Sequence, residues 1–130
     1  MKKLLLVSFI LAGLMLATSA MAYLDDTEWL VTVMYSDGTV FQDEWTFDMQ
    51  TDYLGSINSE EFDDDGTALV WPNWRGVLKA RFRFPGESLW FYGGVYTEEH
   101  SGFNLLIGTA YNYVTGDHGS FVGVLDDVND

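Results

Sequence analysis

From Thr27 onward, apolar and polar residues alternate with the two-residue period of a half-buried strand. Turn-forming Gly, Asp, Ser and Pro interrupt the alternation about every ten residues, the spacing of all-β domains. Trp29, Val31, Val33 and Tyr35 share one face of a first predicted strand, opposite Leu30, Thr32 and Met34. Ser36-Asp37-Gly38 then predicts a hairpin turn, because glycine accepts positive φ. On the second strand, Phe41, Asp43, Trp45, Phe47 and Met49 share a face. The opposite face carries Gln42, Glu44, Thr46 and Asp48 and must be wet. Tyr53, Gly55 and Ile57 continue as a third strand, followed by the acidic loop Ser59–Gly66.

Thr67–Trp71 is a short apolar run ended by Pro72, which cannot donate to a central ladder. Trp74–Phe84 has the cleanest alternation, with Trp74, Gly76, Leu78, Ala80, Phe82 and Phe84 on one face. Arg75, Val77, Lys79, Arg81 and Arg83 lie on the other. Pro85-Gly86 turns the chain into Leu89–Thr97, rich in rings but with its inward face undetermined. Glu98–Gly102 turns it again into Phe103–Val114, whose weak alternation suggests burial on both sides. Thr115–Gly119 is a turn, Ser120–Leu125 the last predicted strand, and Asp126–Asp130 a frayed acidic tail.

No helical period appears after Ala22, so the prediction is all-β: about eight antiparallel strands joined by short turns. Short connections favour an up-and-down meander, and closing it into a small barrel removes exposed edges. A β-sandwich is the alternative that the pattern leaves open.

Thr27-Glu28-Trp29 at the first strand resembles the early Gly-x-Trp of lipocalin- and avidin-like barrels, with Thr27 at the position of the glycine. Phe91-Tyr92-Gly93-Gly94-Val95-Tyr96 and Leu106-Ile107-Gly108-Thr109-Ala110-Tyr111 resemble the glycine-punctuated later strands of small secreted avidin-like proteins. Gly119-Ser120-Phe121-Val122-Gly123 resembles their closing strand. The resemblance implies an up-and-down barrel with a ligand mouth. It carries over no biotin-binding residue.

The first residues change the expected compartment. Lys2 and Lys3 precede the apolar run Leu4–Leu16, and Ser-Ala-Met-Ala ends at Ala22 with the small residues of a cleavage site. That is the pattern of a signal peptide, Met1–Ala22, followed by one domain over residues 23–130. The expected location is extracytoplasmic, either periplasmic or secreted. There is no cysteine, hence no disulfide, thiolate metal site or thiol nucleophile, and the aromatic core must hold the fold. Twenty acidic residues against six basic ones give a net charge of −14, which disfavours nucleic acid and anionic membranes as partners. Charged outward faces also argue against a membrane-embedded barrel.

The leading expectation is a non-catalytic barrel that binds a small apolar or aromatic ligand among Trp29, Trp45 and Phe82, with Asp43 as polar anchor. A lone inward carboxylate needs pairing or hydrogen bonding, from a Tyr or Arg for example, unless a bulge turns it outward. The rival expectation is a side-chain-filled structural barrel that meets a protein partner through Arg75, Lys79, Arg81 and Arg83. Intramolecular pairing with acids such as Glu44 and Asp48 would equally explain that stripe. Trp29, Trp45, Trp71, Trp74 and Trp90 are expected to be mostly core. Within Glu60–Asp65, Glu61, Asp63 and Asp65 match the start of a calcium loop, but Pro72 stands where the closing glutamate belongs. No metal or cofactor is therefore assigned. His100 and His118 fall in predicted turns, and no nucleophile elbow, zinc motif or phosphate loop is present, so no enzyme is expected.

Overall fold

The computed structural model describes residues 24–72, 78–96 and 104–128. The segment 1–23, which includes the expected signal peptide, lies outside the described part, as do Trp74, Arg75, His100 and the last two residues. Eight strands run β1 (Thr27–Tyr35), β2 (Val40–Met49), β3 (Leu54–Ser59), β4 (Gly66–Pro72), β5 (Leu78–Phe84), β6 (Leu89–Tyr96), β7 (Leu105–Asn112) and β8 (His118–Val128). Each pairs antiparallel with its sequence neighbour, and β8 returns to β1, so the meander closes into a barrel and the sandwich alternative falls away. One 3₁₀ turn, Pro85–Glu87, joins β5 to β6.

The two-residue period sorts the side chains as the sequence suggests. Trp29, Val31, Val33, Trp45, Phe47, Ile57, Ala80, Phe82, Phe84, Phe91 and Phe121 are buried inside. Trp45 stands at the centre, with ring centroids of Phe91, Phe84, Phe82, Phe121 and Phe47 at 5.0, 5.1, 5.6, 6.3 and 6.5 Å. These rings come from β2, β5, β6 and β8, so opposite walls meet and the middle of the barrel is filled. Leu24 is buried ahead of β1, where its carbonyl accepts from Thr27 Oγ1 at 2.5 Å. Thr27 Oγ1 in turn accepts from Trp29 Nε1 at 2.8 Å.

Gly93 and Gly108 face each other across β6 and β7. A Cβ on either would run into a backbone carbonyl, of Ile107 or Tyr92 respectively, so this close approach of strands requires glycine.

Several sequence expectations need correction. Leu105–Asn112 is not buried on both sides: Leu106 and Ala110 point in, while Ile107 and Tyr111 are exposed. Alternation is hidden there because apolar side chains occupy both faces and Gly108 occupies an inward position. The face of β6 is now fixed, with Leu89, Phe91 and Val95 inward and Trp90 and Tyr92 outward. Trp90 is therefore not core, and Trp71 lies only partly buried against Tyr92, at 6.2 Å. Tyr53 belongs to the β2–β3 turn rather than to a strand. Asp126, Asp127 and Val128 extend β8 instead of fraying, because the strand continues its ladder with β1 past a register shift at Glu28/Trp29.

Candidate functional site

The turns β1–β2, β3–β4, β5–β6 and β7–β8 gather at one end of the barrel. Local chemistry sets each. Asp37 Oδ1 accepts from the Thr39 amide at 2.8 Å, and Gly38 takes φ 91°. That hydrogen bonding holds the Asp37 carboxyl below its usual pKa. Asn112 Oδ1 accepts from the amides of Val114 and Thr115, both at 3.0 Å, and Gly116 takes φ 81°.

The β3–β4 loop is fastened from below by Asp43. This carboxylate points inward and is 3% exposed. Its Oδ2 accepts from Trp45 Nε1 at 2.8 Å and Ser59 Oγ at 2.5 Å, and its Oδ1 from the Glu61 amide at 3.1 Å. Ser59 Oγ also accepts from the Phe62 amide at 3.0 Å. Neither a bulge nor a Tyr or Arg is needed: an indole, a hydroxyl and a backbone amide satisfy the charge. The result is a fixed placement of Glu61 and Phe62 over the end of the barrel.

Between these loops lies a solvent-open cavity of about 380 Å³. Its apolar lining is Tyr35, Phe41, Phe62 and Leu89, and its polar lining is Glu61, Glu87 and Asn112. The rings form a chain, Tyr35 to Phe41 at 6.1 Å and Phe41 to Phe62 at 6.1 Å. Phe62 rests edge-on against Phe84 at 5.0 Å, so the cavity floor is the top of the packed core. The surrounding turns carry Asp37, Glu60, Glu61, Asp63, Asp64, Asp65, Glu87 and Asp117, with no lysine or arginine. Partial burial, then Asp117 and Asp37, push the Tyr35 phenol above its ordinary pKa.

Of the four side chains expected to hold a ligand, Trp29, Trp45 and Phe82 are buried in the core, and Asp43 is engaged by protein donors. None lines the cavity. Tyr35, Phe41 and Phe62 do, and only their positions beside turns could have singled them out in the sequence. Among the described residues, no group of three His, Cys, Asp or Glu is placed to hold a metal ion. Lys79, Arg81 and Arg83 point outward from β5. Among the described residues none of them joins an ion pair, and Arg83 instead lies 5.2 Å over the Trp90 ring. Arg75 lies outside the described residues.

No family model and no curated protein matches the chain. Among solved structures, a redesigned β-barrel is similar with a TM-score of 0.57 and 16% identity, covering 83% of this chain and 96% of that one. The redesigned barrel mFAP0, bound to DFHBI, gives a TM-score of 0.52 at 16% identity over 78% and 98% of the two chains. A third, mFAP1, also bound to DFHBI, gives 0.51 at 18% identity over 83% and 98%. At such identities the likeness is one of fold. The chain is a small antiparallel barrel of eight strands, and no avidin identity is shown.

Proposed function

We propose that this protein is a non-catalytic binding barrel that acts outside the cytoplasm and takes a small apolar or aromatic ligand at its mouth. The observation that carries the reading is the cavity of about 380 Å³ floored by Phe62, Phe41 and Tyr35. It falls in the size range of small-molecule sites, and like them combines rings with a few polar groups. That two barrels of similar fold hold DFHBI supports it. The ligand sits above Trp45 and Phe82 rather than among them, and Asp43 acts as a positioning residue through the Glu61 and Phe62 amides. The leader-like Met1–Ala22 supports the extracytoplasmic location. The inward apolar and outward charged polarity of β2 and β5 is the reverse of a lipid-facing barrel.

The test is ligand-observed NMR of the full chain, as cells process it, against a panel of small aromatic probes. Binding that disappears in Phe62→Ala and Phe41→Ala is the expected result. Binding indifferent to both changes, or no binding at all, overturns the reading. Native mass spectrometry and N-terminal sequencing of the same material check for retained ligand and for a start at Tyr23.

The outward stripe of β5, whose cations join no ion pair among the described residues, favours a second reading, association through Lys79, Arg81 and Arg83 with an acidic protein surface. A second copy of this chain supplies such a surface at its own mouth. Sedimentation at low salt should then show oligomers that dissolve in high salt and in Arg81→Glu; a monomer throughout excludes it.

A further inference from the structure

Resting on the mouth as the binding site, we infer that its ligand carries a positive charge: an aromatic or alkyl ammonium compound. Three observations converge. The cavity offers the rings of Tyr35, Phe41 and Phe62, partly buried and so already short of water on one side. Ring faces attract cations, and most strongly where water is excluded. The polar wall is supplied by Glu61, Glu87 and Asn112, and among the described residues neither glutamate side chain is held by a hydrogen bond or ion pair. The third observation is charge placement. The mouth turns hold acids and no lysine or arginine, whereas the described cations all stand outward on β5. An anion entering the cavity would meet carboxylates that no cation among the described residues compensates. A neutral ligand would gain from the rings alone. Only a cation gains from rings and carboxylates together, and the same field draws it in. At the cavity wall the Tyr35 phenol is held above its ordinary pKa first by partial burial, and Asp117 and Asp37 add to the rise.

The probes are benzyltrimethylammonium, its uncharged carbon isostere neopentylbenzene, and the anion benzylphosphonate. Each is titrated into the full chain at low and high salt, with ring-proton shifts of Tyr35, Phe41 and Phe62 as readout. The ammonium compound should bind at least about tenfold more tightly than the isostere at low salt, the anion not at all. High salt should weaken the ammonium compound alone. The double change Glu61→Gln, Glu87→Gln should cut its affinity by about fivefold or more while leaving the isostere within about twofold, which separates charge from folding. An isostere that binds as well as the cation overturns this inference and leaves the mouth as a neutral aromatic site. Failure of all three probes to shift the mouth rings overturns the inference and the mouth reading together.

Discussion

Two groups of rings in this barrel are built from the same side chains and end in different states. Around Trp45, five phenylalanines lie within 6.5 Å, and the indole is wholly excluded from solvent. Tyr35, Phe41 and Phe62 keep similar spacings, yet each is only partly buried and they bound an open cavity. The difference is where the walls are. A strand side chain in the middle of a closed barrel is met from the opposite wall. A ring in the last turn or a loop has protein on one side only. Saturated rings give stability, whereas rings with a free side are available to a ligand. The carboxylates divide the same way: Asp43 has three donors, and Glu61 and Glu87 have none among the described residues.

The largest expected effect is therefore at the centre. Trp45→Ala removes ring contacts from four strands and one donor to Asp43, and should cost about 3–5 kcal/mol in chemical denaturation. A loss below about 2 kcal/mol would mean that the interior is looser than these distances imply. Next is Asp43→Ala, which strands the Trp45 indole N–H, the Ser59 hydroxyl and the Glu61 amide. About 2–3 kcal/mol is expected, since buried donors without acceptors are costly. Because the Glu61 amide belongs to the loop carrying Phe62, and Ser59 Oγ holds the Phe62 amide, ligand affinity should fall as well. A variant that loses stability but keeps full affinity would show that Asp43 does not position the mouth.

Phe62→Ala inverts the pattern. Half-buried and packed mainly on Phe84, it should cost only about 1 kcal/mol of stability while removing most of the affinity. If stability falls as far as in Trp45→Ala, the two ring groups are one core and the distinction fails.

The sequence conveyed the core far better than the mouth. Alternation with a period of two places Trp29, Val31, Trp45, Phe47 and Phe82 inside without reference to any partner strand, because pleat geometry alone sets their face. It could not separate a filled interior from an open one, since that depends on how far rings from β2, β5, β6 and β8 reach across. Trp90 and Trp71 read as core for the same reason: hydrophobicity is legible, but facing is hidden where β6 carries rings on both sides and where Ala68–Trp71 of β4 is apolar throughout. Asp43 stood out as an inward charge, but its partners Ser59 and Glu61 come from the next strand and its loop, and register brings them together. Phe62, in an acidic loop, read only as part of a calcium-like run.

The smallest effect is the most direct probe of the field at the mouth. The Tyr35 phenol has its pKa raised above the ordinary value of 10.0, first by partial burial and then by Asp117 and Asp37. Between the unfolded and the folded value, the native protein holds a proton that the unfolded chain has released. That contribution to stability is complete below about pH 10 and is lost as the pH rises through the folded value. Tyr35→Phe should therefore flatten the alkaline decline of the denaturation midpoint without changing it at neutral pH. Asp117→Asn should move the phenol's absorbance titration only part of the way back, because burial is the larger cause. A phenol titration that Asp117→Asn leaves unmoved would mean that the mouth carries no field strong enough to select the charge of its ligand.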